Sequence, residues 1–300
     1  MRSRSRTFRT ELLAAAAVLA VAAGCSSGAA EFAAGEAPDR VLTGPQGAVG
    51  QFAVECGFDQ FLPDDPIVHP GKPGASHLHQ FFGAVGVHAS STYEELLVGP
   101  TTCEQRADTA SYWTPTLIGA DREPIEPIRS VAYYRAGPGV DPTTVEAYPP
   151  GLMMVAGDHT ATEPQATSVI AWTCGTGGAR SPEPPDCSRH ESLRPTTLRM
   201  LVTFPDCWDG DQLRSPIVPE PALHVAYSTA GVCPDTHPVP ILQLQLAVDW
   251  PVPDSVDGLA LSSGDIHSGH ADFWNAWDEA KLNRDVTACI HRNLACSISG

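Results

Sequence analysis

Beyond residue 50, proline and glycine interrupt the sequence so often that few stretches leave room for a helix of ordinary length. The 28 prolines and 26 glycines cut the chain into short apolar runs. Examples are Thr116-Leu117-Ile118, Val131-Ala132-Tyr133-Tyr134, Leu198 to Phe204 and Ile241 to Val248. Such runs bounded by turn residues predict strands, and the last alternates apolar and polar residues as a half-buried strand does. The segment Ala271 to about Arg292 spaces Phe273, Trp277, Leu282, Val286 and Ile290 as an amphipathic helix would. Shorter helices are predicted near Tyr93–Val98 and Pro142–Tyr148. The expected fold is mainly β, a sandwich or jelly-roll-like core with long loops and a C-terminal helix, with a mixed α+β sheet as the alternative.

The first 24 residues carry four arginines and an apolar stretch from Leu12 to Ala23, the pattern of an export signal. Ala22-Ala23-Gly24-Cys25 reads as a bacterial lipobox, which makes Cys25 the expected lipid anchor and places the protein on the outer face of the cell membrane. The stretch is too short to span a bilayer comfortably. Residues 25–50, rich in Ala and Gly, read as a flexible tether, and residues 51–300 as a single domain. With Cys25 set aside, eight cysteines remain in an exported chain, an even set that predicts disulfides. Neighbours in sequence are the expected partners: Cys56 with Cys103, Cys174 with Cys187, Cys207 with Cys233, and Cys289 with Cys296. Removing the leader takes away four arginines and one glutamate, leaving 14 basic against 34 acidic residues and a net charge near −20. That charge excludes nucleic acid as an ordinary partner and favours neutral or cationic ligands.

Two segments concentrate groups that bind metals or move protons. In Ser76-His77-Leu78-His79-Gln80-Phe81-Phe82-Gly83 the histidines stand two apart, so on an extended backbone both rings project from one face. Nearly two hundred residues later, Asp265-Ile266-His267-Ser268-Gly269-His270-Ala271-Asp272 crowds histidines and carboxylates together again. His77 and His79, joined by His270 or Asp272, would make a divalent, zinc-like site with a position open for water. A metal-free version keeps the same groups, with His79 or His270 as general base and Asp272 or Asp265 orienting the ring. The plain alternative leaves one imidazole packed in a polar core, the other exposed, and Asp272 at a helix N-terminus. Asp206 and Asp209 in Phe204-Pro205-Asp206-Cys207-Trp208-Asp209-Gly210-Asp211 are further acid or base candidates, although Asp-Gly-Asp also marks a tight turn. Trp113, Trp208 and Trp274 lie beside these clusters, where a sugar ring could stack, though tryptophan is more often core. The chain lacks a G-x-S-x-G elbow and a phosphate-binding glycine loop.

Taken together, several motifs resemble one family. They are D-P-I-V-x-P-G with Ser76-His77-x-His79-x-Phe81-x-Gly83, Tyr112-Trp113-Thr114-Pro115, Pro149-Pro150-Gly151-Leu152, Phe204 to Gly210, Cys233-Pro234-x-x-His237-Pro238, and His270-Ala271-Asp272-Phe273-x-Asn275. In this order over residues 54–290 they resemble the secreted domain of unknown function DUF1996. That family occurs in fungi, where it can accompany a WSC carbohydrate-binding module, and in actinobacteria. The resemblance implies an exported domain and carries over no catalytic or binding residue. Ala276 stands where similar sequences have glycine.

Two functions from different classes fit this reading. One is a lipid-anchored enzyme, a hydrolase or lyase of cell-wall or extracellular polysaccharide, with His77, His79, His270 and Asp272 at its centre. The other is a non-catalytic carbohydrate-binding or envelope-organising protein using the same aromatic residues. In both the protein is expected to be a monomer that meets glycans and touches the membrane only through its lipid.

Overall fold

A computed structural model describes residues 50–189, 196–215 and 223–296. The expected leader, Cys25 and the tether up to residue 49 lie outside the described residues. In chain order the strands are β1 (Gln51–Cys56), β2 (Phe58–Leu62), β3 (His79–Gly83), β4 (Ser111–Pro115), β5 (Leu117–Ile118), β6 (Arg129–Arg135), β7 (Met153–Gly157) and β8 (Ile170–Cys174). They continue as β9 (Leu198–Thr203), β10 (Cys207–Trp208), β11 (Val225–Ala226), β12 (Val239–Pro240), β13 (Gln243–Trp250), β14 (Ala260–Leu261) and β15 (His270–Trp274). Two antiparallel five-stranded sheets dominate, with strand orders β1-β6-β13-β9-β8 and β2-β3-β4-β15-β7.

Side chains alternate across each strand, so each sheet has two faces of different character. The inner face of the first sheet presents Phe52, Val54, Tyr134, Leu244, Leu246, Met200 and Trp172. The inner face of the second presents Phe82, Tyr112, Met154, Ala156, Ala271 and Phe273, and the two sets form one continuous core. The fold is therefore a β-sandwich. The outer face of the second sheet carries a separate apolar cluster of Phe81, Trp113, Trp274, Met153 and Val155, roofed by Ile67, Ala84, Val87 and Leu96. Leu96 comes from helix α1 (Tyr93–Val98), which starts at a reciprocal cap: Thr92 Oγ1 accepts from Glu95 N, and the Glu95 carboxylate accepts from Thr92 N.

Two sequence expectations are corrected. The helix predicted from Ala271 to Arg292 is a strand first: His270–Trp274 is β15, and helix α2 spans only Glu279–Asp285. Of the apolar positions that suggested one helical stripe, Phe273 lies in β15 and Trp277 in the connection that follows it, while Leu282 lies in α2 and Val286 and Ile290 in the π-helical turn Val286–Ile290 that continues α2, so the C-terminal half of the expected segment is helical. The alternation in β13 predicted a half-buried strand, but all eight residues of β13 are buried. Its outer polar positions are satisfied within the protein. Gln245 Nε2 donates to Thr203 Oγ1, and Asp249 accepts from Arg199 and Arg129. All four expected disulfides are present, Cys56–Cys103, Cys174–Cys187, Cys207–Cys233 and Cys289–Cys296.

Candidate metal centre on the outer face of the second sheet

The antiparallel register of three strands brings the two histidine segments together. His79 pairs with Pro115 across β3 and β4, and Asp272 pairs with Trp113 across β15 and β4. Continued two residues further, the second register sets His270 opposite Pro115 as well. The two histidines thus flank Pro115 two strand spacings apart, and their imidazoles lean toward one another with ring centroids 5.8 Å apart. His77, two residues before His79, projects from the same face, as the His-x-His spacing predicts. Its Nε2 lies 3.1 Å from Nε2 of His270. Gly157 pairs with His270 on the other side, and a Cβ at residue 157 would come within 2.5 Å of Gly269 O and 2.9 Å of His270 Cα. Only glycine permits that approach, and its φ of +88° is also one that side chains disfavour.

Backbone carbonyls fix two of the rings. His79 Nδ1–H donates to Asp64 O at 2.9 Å, and His270 Nδ1–H donates to Ser268 O at 2.8 Å. Each bond selects the tautomer whose Nε2 carries a free lone pair. Nε2 of His79 is buried with no hydrogen-bond partner. The donor atoms of His77, His79 and His270 all lie within 4.8 Å of one another. Nitrogen ligands about 2.1 Å from a tetrahedral ion stand roughly 3.3 Å apart, so the 3.1 Å between His77 and His270 suits a shared ion.

The electrostatics agree with the geometry. Burial, reinforced by the neighbouring His159 and His69, lowers His77 to about 4. Burial with His77 and His159 takes His270 down to about 3, and burial holds His79 well below the usual imidazole value. All three are neutral near pH 7, the state a metal ligand requires. His79 also belongs to a deeper group with Asp65 and Asp272, whose donor atoms again lie within 4.8 Å of one another. Burial raises both carboxyls. For Asp65 it is opposed by bonds from Ile67 N and Val68 N, and for Asp272 it is reinforced by the charge of Asp65. The site is thus layered, with half-exposed His77 outermost, His79 and His270 buried, and the two aspartates beneath.

Other sequence candidates lie elsewhere or play other parts. Asp265 stands 2.6 Å from Nδ1 of His267, so its partner is His267 and not His270. Asp206 accepts from Ser228 N and Ser228 Oγ at 2.7 Å each, and Asp209 Oδ1 accepts from Asp211 N and Gln212 N in the tight turn its sequence suggested. Among the described residues neither is grouped with the histidines. Trp113 and Trp274 are buried in the outer-face cluster and present no ring to solvent, while Trp208 is half-buried with Nε1 donating to Gln212 O. Cys56 and Cys103, which fall near Asp108 as a nominal ligand group, are joined in a disulfide and offer no thiolate.

Sequence reasoning missed four contributors. Asp64 supplies the carbonyl that orients His79, and its carboxylate accepts from Gly74 N at 2.7 Å and Ala89 N at 2.8 Å. Asp65 lies in the deeper group, Ser268 orients His270, and exposed His159 stands with its ring centroid 6.0 Å from that of His270. The paired acids Asp64-Asp65 before a proline, and Asp158-His159 directly after an apolar run, were the available signals.

The protein is accordingly a disulfide-bonded β-sandwich whose outer sheet face carries histidine and aspartate groups able to hold a metal ion. The chain belongs to the family described as a domain of unknown function (DUF1996), whose model matches residues 65–277. The match begins at Asp65 and encloses every residue of the two ligand groups at the site. Neither the curated proteins nor the solved structures compared with the chain contained a match. No described helix is long and apolar enough to cross a membrane, and the four disulfides fit an extracellular, oxidising compartment.

Proposed function

We propose that this protein is an exported, metal-dependent enzyme that cleaves a neutral extracellular or cell-wall polysaccharide, held at the outer membrane face through a lipid on Cys25. The observation that carries the reading is the convergence of three neutral imidazoles, two of them with tautomers fixed by backbone carbonyls and one with an orphaned, buried Nε2. Their chemistry fits a zinc-like ion: imidazole donors at suitable spacing, supported by outer hydrogen bonds. When bound, such an ion would supply a Lewis acid and an activated water near neutral pH. His77, His79 and His270 are its ligands, and Asp64 and Ser268 orient two of them. His77 is half-exposed, so it marks the side from which substrate reaches the centre.

The strongly negative charge of the mature chain favours a neutral glycan over an anionic one. Burial of Trp113 and Trp274 removes the sugar-stacking platform from both readings, and the convergence of the three imidazoles is what favours the catalytic one. The deciding experiment is elemental mass spectrometry on the purified mature protein beside a His77→Ala/His79→Ala variant, followed by a polysaccharide panel with and without added metals. Stoichiometric metal lost in the variant, with turnover that follows metal content, is expected. Wild-type protein that stays metal-free after incubation with zinc, manganese and calcium sinks the reading.

A further inference from the structure

The deeper layer of the site contains an arrangement that the three imidazoles do not explain. Asp272 is 1 % exposed, and neither of its carboxyl oxygens has a hydrogen-bond partner. On the same sheet face it is flanked by Trp113, directly across the strand pair, and Trp274, two residues on, and the polar groups near it, His79 and the carboxyl of Asp65, make no hydrogen bond to it. A buried carboxyl without donors costs several kcal/mol, and buried polar groups in folded proteins are almost always satisfied. Asp272 also shares its ligand group with His79, whose only free nitrogen is the orphaned Nε2. Two atoms that accept hydrogen bonds therefore stand near one another, both buried, both without a donor. They are not hydrogen-bonded to each other, so a single shared proton does not resolve the conflict. A cation between them does.

We propose that Asp272 is a direct ligand of the ion held by His77, His79 and His270, so that the centre has three nitrogen donors and one carboxylate oxygen. Charge points the same way. A divalent ion among three neutral imidazoles in a buried site carries two uncompensated charges, and a carboxylate ligand removes one of them at short range. Asp272 is grouped with His79 and Asp65 and not with His77 or His270, so His79 is the donor that the two groups share, and a four-donor set requires the Asp272 carboxylate to turn toward the imidazoles when the ion binds, because donors about 2.1 Å from one ion stand no more than about 4.2 Å apart. Asp65 acts one layer further out, because its Oδ1 already accepts from Ile67 N at 2.9 Å and Val68 N at 2.8 Å. A mixed nitrogen and oxygen set widens the choice of ion beyond zinc toward manganese and iron, which a purely imidazole site binds less well.

This inference rests on the metal-centre reading but fails separately from it. The test is titration of the mature protein with cobalt(II) and manganese(II), comparing wild type with Asp272→Asn and Asp272→Glu. Asn keeps the shape and removes the charge. A loss of at least about tenfold in affinity for both ions and a changed cobalt visible spectrum are expected in the Asn variant, with partial recovery in the Glu variant. Wild type that binds while Asp272→Asn retains both affinity within twofold and an unaltered spectrum overturns the inference and leaves the imidazole site standing. Wild type that binds neither ion overturns both. Should the variants not fold, a metal-loaded crystal structure of the wild type decides: an Asp272 oxygen within about 2.3 Å of the ion supports the assignment, and one beyond about 3 Å refutes it.

Discussion

Replacing Asp64 with alanine isolates what holds the site from what forms it. Asp64 never points a side-chain atom at the candidate ion. Its carboxylate binds Gly74 N and Ala89 N, its carbonyl receives the His79 Nδ1–H, and it thereby ties the loop before β3, the loop after it, and the central histidine. In the alanine variant Ala89 N, buried with its residue, loses a charge-assisted partner, a loss of about 1–3 kcal/mol, while exposed Gly74 N finds water and loses about 0.5–1 kcal/mol. The sum, about 1.5–4 kcal/mol, should lower the midpoint of thermal unfolding by roughly 3–16 °C in a domain of this size. The carbonyl remains, but the loop that fixes its direction is released, so metal affinity should fall about 10- to 100-fold. Asp64→Asn should lie between, because its amide oxygen can accept from one N–H while its amide nitrogen cannot accept from the other. The assay is calorimetric unfolding of each variant with and without saturating metal. An alanine variant that melts within about 1 °C of wild type and binds metal equally well would refute the argument that Asp64 organises this face.

Three further outcomes follow from other contacts. Gly157→Ala places a methyl against Gly269 O and His270 Cα, so it should displace His270 and abolish metal binding while the protein still folds at reduced stability; unchanged metal stoichiometry would show that β7 can yield. Asp108 accepts from Tyr112 and Ala110 in a chain that continues through Tyr134 to Trp277, and burial pushes its carboxyl up to about 7. A folded-state value above the unfolded one near 3.9 gives stability that is full below pH 4 and lost as pH rises to 7, so Asp108→Asn should gain relative to wild type by roughly 3–4 kcal/mol across that window, and a flat difference in urea midpoints would contradict it. For Asp249, burial alone would raise the carboxyl, but the bonds and charges of Arg199 and Arg129 hold it below its ordinary value. Its contribution is therefore present at neutral pH and lost in acid, and Asp249→Asn should cost about 3–5 kcal/mol at pH 7 with the gap from wild type closing as pH falls below the ordinary carboxylate range.

The two halves of the site were legible to different degrees because they rest on different kinds of information. His-x-His declares its own geometry: on any extended backbone His77 and His79 share a face, and the neighbouring proline and glycine turns made extension the natural expectation. His270 and Asp272 carry the same two-residue spacing, but the apolar residues that follow them imitate a helical stripe. Local periodicity favoured a helix there, and tertiary pairing with β4 and β7 made a strand instead. The disulfide partners were readable because each cysteine bridges to its sequence neighbour. The roles of Trp113 and Trp274 were not, because burial depends on which face of the sheet the loop containing Ile67 and helix α1 cover.

That same cover explains why the chemistry sits where it does. A sandwich normally leaves the outer faces of its sheets to solvent, where three imidazoles would be hydrated and would titrate near their ordinary values. Here the two connections on either side of β3, with Ile67 in the first and Ala84, Val87 and Leu96 in the second, fold back over the second sheet and convert its outer face into a second core. Within that core the histidines stand at one end, where Pro115 and Gly157 leave room for them, and the tryptophans fill the other. The burial that hides the tryptophans from a sugar therefore also lowers the imidazoles' proton affinity and strips Asp272 of water. Ligand character here is a property of the loop as much as of the histidines, which is why perturbing Asp64, far down the list of obvious candidates, should be as informative as removing a ligand.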